Sequence, residues 1–248
     1  MATDNLFRAF PKERQPLSPE FAAIYLQHYR NSREGNSKVL SLAKWAESWM
    51  HRRLAEDVVT GPPKATLELG AGTLNQIPYE PQSNPYDIVE PFRELFESSP
   101  HLHRIRNVYN DIQEVPATAK YDRIISVAVL EHICNLPEVV AQSGLLLNEG
   151  GQFRAGIPSE GTILWKLAWK NTTGVAFKRR HNLDYEVLMK YEHVNTAREI
   201  EDVLRHFFSK VKGKVFGVAR ALSFYQFYAC SKPRLNECRN YLEKNHSR

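Results

Sequence analysis

What the chain lacks narrows it first. No window of its 248 residues approaches the ~18–20 consecutive apolar residues of a membrane span. The opening stretch, MATDNLFRAFPKERQ, has no apolar run of the signal-peptide kind. Cysteine is scarce: Cys134, Cys230 and Cys238 are three, irregularly spaced, and make no disulfide framework. A reduced, cytoplasmic setting is the expectation. No internal repeat or low-complexity tract interrupts the chain. Charge of one sign is also lacking, since the net is only +5. Such an excess suits an anionic small molecule, a lipid surface or simply a solvated basic exterior. No RNA-binding module or aromatic platform accompanies it, so nucleic acid is not an expected partner.

What is present is an apolar share of 42%, enough for one substantial globular domain with an elaboration. The polar, proline-marked start to about Pro16 is expected to be poorly ordered. Ser18-Pro19-Glu20 reads as an N-cap with proline at the first helical position, opening a helix through Phe21, Ile24, Tyr25 and Tyr29. A second helix is expected from about Ser37, with Val39, Leu42, Ala43, Ala46, Trp49 and Met50 on one face, stopped by Gly61-Pro62-Pro63. From Lys64 short apolar runs alternate with helical patterns. Strands are expected over 65–69, 86–89, 105–109, 123–127 and 152–157, which implies βαβ units and a parallel sheet. A long insertion rich in Trp, Lys and Arg follows Pro158. A helix capped by Thr196 and Glu199 then carries Ile200, Val203, Leu204, Phe207 and Phe208 at helical spacing. Two strands near 211–218 and 223–230 and a peripheral basic tail close the chain.

The strongest local signal is Thr66-Leu67-Glu68-Leu69-Gly70-Ala71-Gly72-Thr73, an apolar strand ending in a glycine turn where backbone approaches a ligand closely. Glu90 ends the next strand, near the ~20-residue offset at which an acid accepts both ribose hydroxyls. Asp111, after the third strand, stands where a carboxylate or its backbone meets an adenine amino group. The dehydrogenase alternative wants a third glycine at position 75, which is Asn75.

Taken in order, Glu68-Leu69-Gly70-Ala71-Gly72, Glu90, Asn110-Asp111, Leu130-Glu131-His132 and Gly150-Gly151 resemble the successive motifs of class I S-adenosylmethionine-dependent methyltransferases. The resemblance runs from about Lys64 to Pro158, and more loosely to 224–230. It implies an α/β, Rossmann-like, seven-stranded, mostly parallel sheet with the last strand antiparallel and helices on both faces. It divides the chain into an N-terminal helical cap (1–60), a methyltransferase domain (61–235) with an insertion at about 159–195, and a tail (236–248). It also implies S-adenosyl-L-methionine as cofactor. Glu68, Gly70, Ala71 and Gly72 would form the methionine end, Glu90 and Pro91 the ribose site, and Asp111 and Ile112 the adenine site. Val127 and Ala128 would line the cofactor near its methionine end. The sequence departs from the family where Leu74 replaces a third loop glycine. Pro78, Pro81 and Pro85 further require the helix after the first strand to be very short or absent. The methionine carboxylate is then left to loop amides, or to Tyr25 or Arg30.

Methyl transfer from a sulfonium needs mainly positioning and desolvation, with a base where the acceptor is a hydroxyl. His132 is the candidate base, and His181 and Tyr185 of the insertion are candidates for acceptor contact. The run Lys178-Arg179-Arg180 suits an acceptor phosphate or carboxylate, or a solvated face. Glu131 and His193 read as structural. The mixed Trp and Lys of 163–170 suit a buried helix face, a lid or peripheral contact with a membrane surface. No metal is expected, because His101-Leu102-His103 has no cysteine or carboxylate cluster beside it. Tyr191-Glu192-His193-Val194-Asn195 resembles methyltransferases of bacterial surface-polysaccharide pathways, implying a small-molecule or carbohydrate acceptor methylated at oxygen. N-methylation of a metabolite and a non-catalytic cofactor-binding protein are the alternatives.

Overall fold

The computed structural model describes residues 6–25, 41–59 and 62–246. Seven strands form one sheet: β1 (Thr66–Leu69), β2 (Tyr86–Val89), β3 (Asn107–Tyr109), β4 (Tyr121–Val127), β5 (Leu147–Pro158), β6 (Phe208–Ala219) and β7 (Leu222–Pro233). Their order is β3-β2-β1-β4-β5-β7-β6. The first five strands are parallel, and β7 inserts antiparallel between β5 and β6. The strand order reverses between β1 and β4, which opens a crevice at the carboxyl ends of the parallel strands.

Alternate residues of the strands feed two cores, as a period of two requires. Leu67, Leu69, Ile124, Phe153 and Ala155 face one side. There they meet α2 (Leu136–Leu146), α6 (Ala197–Phe207) and α7 (Leu235–His246). Thr196 caps α6 in a reciprocal box with Glu199, as its sequence predicts. The tail, expected to be peripheral, is instead a layer helix: Cys238 is fully buried and Leu242 joins the core. The start of the chain also differs from expectation. Residues 6–16 lie against the protein, with Phe7 in ring contact with Phe207 and Tyr241, and Lys12 bonded to Glu199 and the Val194 carbonyl. One aromatic anchor and one half-buried cation hold this otherwise polar segment against the protein.

Ser18 caps residues 19–25 through its Oγ, which accepts from the Phe21 amide at 3.4 Å. Tyr29, Arg30, Ser37, Val39 and Gly61 lie outside the described residues. The opposite sheet face packs on α1 (Ser41–Ala55) through Met50 and Leu54. This helix lies directly on the sheet and is part of the layer, not a cap set apart from it. Gly156 of β5 permits that approach: a Cβ there would fall 2.4 Å from Met50 Cγ and 2.9 Å from Leu54 Cδ1. Gly156→Ala is expected to lose about 1–3 kcal/mol through overpacking. An unchanged urea midpoint would contradict the close approach.

As Pro78, Pro81 and Pro85 require, no α-helix follows β1 among the described residues; a turn leads to the 3-10 segment Ile77–Tyr79. A polar network joins this segment to the sheet and to α1. Arg123, fully buried on β4, bonds Glu80 at 2.6 Å, Thr66 Oγ1 and the Leu54 carbonyl. Arg154 of β5 bonds the Arg53 and Leu54 carbonyls. The two guanidiniums thereby cap the C-terminus of α1, satisfying carbonyls a helix end leaves unpaired. Asp57 lies within 3.3 Å of both.

Candidate active site

Gly70, Gly72, Glu90, Asp111 and Ala128 all follow the carboxyl ends of neighbouring parallel strands, so they share one edge of the sheet. Gly70 has φ +66° and Gly72 φ +51°, conformations that side chains rarely adopt. A Cβ on Gly70 would sit 2.5 Å from Val129 Cγ2, whereas one on Gly72 would meet nothing within 4 Å. The first glycine is therefore required by packing behind the turn, and the second leaves the front open.

Glu90 is buried against this turn. Its Oε2 accepts from the Gly72 amide at 2.8 Å and its Oε1 from the Phe92 amide at 3.1 Å. Two bonds occupy half of the ~4 acceptor positions of a carboxylate, leaving capacity for two hydroxyls. Pro91 follows at the surface. Asp111 is exposed and caps the turn Ile112–Glu114 by accepting from the Gln113 amide at 2.9 Å, while Ile112 is buried beneath it. Ala71 is buried in the turn. Val127 ends β4, and Ala128 takes a left-handed φ of +51° with its amide on the Gly156 carbonyl. Strained backbone of this kind clusters at ligand sites.

Glu68 sits behind the turn. It is buried, and its Oε2 accepts from the Tyr86 hydroxyl at 2.9 Å. Burial pushes its carboxyl from 4.5 up to about 8, against the Tyr86 hydrogen bond. The unfolded carboxyl ionises near 4.5 while the folded one resists, so native stability falls as pH rises from about 4.5 to about 8. Glu68→Gln removes this descent, at most about 1.4 kcal/mol per pH unit. Urea melts of both proteins between these limits should diverge steadily; parallel curves would contradict a neutral Glu68.

Past Ala128, the 3-10 turn Leu130–His132 is bound to the segment before α6. Buried Asn195 donates through Nδ2 to the Leu130 and Ile133 carbonyls, at 2.8 and 2.7 Å, and through its backbone to the Glu131 carbonyl. His132 Nδ1 lies 3.0 Å from the Glu192 carbonyl, and its ring stands 4.8 Å from that of His193. Arg14 reaches the His132 and Tyr191 carbonyls, so the N-terminal segment braces the same corner. His193 Nδ1 pairs with Glu160 at 2.8 Å, and Glu160 also accepts from Trp165 Nε1. Burial would lower the His193 pKa, but the Glu160 hydrogen bond and the Glu131 charge outweigh it and raise it. Burial pushes Glu131 up to about 7. Glu131, His132 and His193 bring ligand atoms within 4.8 Å of one another.

The insertion folds as α3 (Ile163–Trp169), a π turn, α4 (Val175–His181) and α5 (Tyr185–Glu192). His181 and Tyr185 both pack on Phe177, and Tyr185 also on Trp169. Burial raises the Tyr185 hydroxyl to about 12. The structure thus sets these two among the insertion's aromatic rings and His132 against the Glu192 carbonyl at the end of α5. Glu160 and Asn195 were not singled out as site residues from the sequence. No local pattern marks Glu160, and Asn195 stood out only within a longer motif.

No protein-family model matches the chain, and neither does any curated protein. Solved structures share its fold. The plantazolicin methyltransferase BpumL, in complex with SAH, superposes with a TM-score of 0.55 at 12% identity, covering 87% of this chain and 91% of its own. The N-methyltransferase NodS of Bradyrhizobium japonicum WM9 gives 0.52 at 13% identity, covering 76% and 97%. Magnesium protoporphyrin IX methyltransferase ChlM of Synechocystis PCC 6803, with bound SAH, gives 0.51 at 14%, covering 85% and 96%. The chain has the Rossmann-like fold of class I S-adenosylmethionine-dependent methyltransferases.

Proposed function

We propose that the protein transfers a methyl group from S-adenosyl-L-methionine to a hydroxyl of a small-molecule or carbohydrate acceptor. The observation that carries this reading is the 2.8 Å bond from the Gly72 amide to Glu90 Oε2. It makes the acid that suits a ribose and the turn that suits the methionine end a single unit at the sheet's switch point. Asp111 and Ile112 flank the adenine position, and Val127 and Ala128 the sulfonium end. The open space over Gly72 fits a bound ligand there. The cofactor supplies an activated methyl group for in-line displacement. The chain's own task is to orient the acceptor and exclude water.

His132 serves the acceptor. Its ring is oriented by the Nδ1–H that donates to the Glu192 carbonyl. The insertion, with His181 and Tyr185, shapes acceptor choice. The test is transfer of isotope-labelled methyl from the cofactor across a panel of sugar hydroxyls and small-molecule amines. Label in hydroxyl acceptors supports the reading. Label confined to amines favours N-methylation, and binding of S-adenosylhomocysteine without any turnover favours a non-catalytic protein.

A further inference from the structure

We propose that Glu131, His132 and His193 form a binding site for one divalent transition-metal ion, zinc being the best fit. Two imidazoles and a carboxylate are the donor set that borderline ions such as zinc and cobalt prefer over magnesium or calcium. Three features of the triad favour an ion over a mere polar cluster.

The histidines are oriented as metal ligands are. His132 turns Nδ1 to the Glu192 carbonyl and His193 turns Nδ1 to the Glu160 carboxylate. Each ring thus has one nitrogen set on the carbonyl or carboxylate partner that fixes a ligating imidazole. The spacing also agrees: the ring centroids are 4.8 Å apart and nearly perpendicular, at 75°. Two imidazoles on one tetrahedral zinc, at nitrogen distances of about 2.0–2.1 Å, bring their centroids to roughly 5.2 Å, a few tenths of an ångström beyond the spacing here. Finally, Glu131 Oε2 is buried and has no hydrogen-bond partner among the described residues. Its other oxygen, Oε1, lies 3.7 Å from His132 Nε2, so the carboxylate borders the cluster. A buried carboxylate oxygen left unsatisfied in a folded protein calls for a partner.

The backbone is fixed in advance. Asn195 ties the Leu130–Ile133 carbonyls to the segment that carries His193, so the two halves of the triad are held together without the ion. Three protein ligands leave a four-coordinate ion one position for an outside oxygen. If the proposed methyl transfer is correct, that oxygen belongs to the acceptor; this last clause rests on that reading, while metal binding does not.

The test uses the full chain, freed of affinity tag and stripped with a chelator, titrated with zinc chloride and separately loaded with cobalt. One ion per chain, with the visible absorption of tetrahedral cobalt, is expected. His193→Ala and Glu131→Gln should each weaken zinc binding by roughly 100-fold or more, and Glu160→Gln, which acts through His193, by about 10–100-fold. Thermal melts confirm that each variant is folded. Absence of stoichiometric binding by the wild-type chain, or binding unchanged in a His132→Ala/His193→Ala double variant, overturns the proposal. S-adenosylhomocysteine titrated in parallel separates the cases: its binding without metal sinks the ion site alone, and metal binding without it sinks the cofactor reading alone.

Discussion

Arg123→Ala is expected to destabilise the protein by about 3–5 kcal/mol, the penalty for leaving a buried partner charge uncompensated. Its guanidinium and the Glu80 carboxylate are both fully buried, 2.6 Å apart. Removing it leaves Glu80 with Gln76 Nε2 but without a counter-charge, and takes from the Leu54 carbonyl one of its two guanidinium donors. At this chain length the loss corresponds to a melting temperature lowered by roughly 6–20 °C. An Arg123→Met/Glu80→Met double variant should recover most of it, because both charges of the pair are removed and Asp57 keeps Arg154 as its partner. A single variant that melts like wild type would show that the pair contributes nothing to holding α1 against the sheet.

The second large effect concerns ligand binding. Glu90→Ala should weaken S-adenosylhomocysteine by about 1.5–3 kcal/mol, the worth of hydrogen bonds to a charged group, or roughly 10- to 150-fold. The alanine would lose the ribose acceptor and also release the Gly72 amide it holds at 2.8 Å. Glu90→Gln, which keeps one acceptor oxygen, should fall between the two. Calorimetric titration distinguishes these cases, and equal affinities for all three proteins would refute the ribose role.

Local patterns made much of this architecture legible before any coordinates. The strand 86–89 stands where its apolar run is bounded by Pro85 and Glu90, and the capping box at Thr196 marks the start of α6 to the residue. The glycine turn and the acid after β2 are both consequences of strand ends, so their convergence followed from spacing. Elements that depend on tertiary contact were hidden. β5 begins at Leu147, five residues earlier than expected, because Gly150 and Gly151 read as a turn while the register with β4 absorbs an irregularity there. The helix 235–246 buries only a few apolar positions, Cys238 and Leu242 among them, too few to stand out against its charged residues. Arg123 and Glu80 are 43 residues apart and become partners only once the prolines replace a helix with a turn. The same holds for the histidine pair, since His132 and His193 meet through Asn195, a residue no periodicity distinguishes.

All of the functional argument depends on a nucleoside resting over Gly72 between the carboxylates of Glu90 and Asp111. A crystal structure of the protein grown with S-adenosylhomocysteine tests this directly. The predicted result is both ribose hydroxyls within hydrogen-bond distance of Glu90 and the adenine beside Asp111 and Ile112. Ligand density elsewhere on the protein, or a ribose turned away from Glu90, would contradict it.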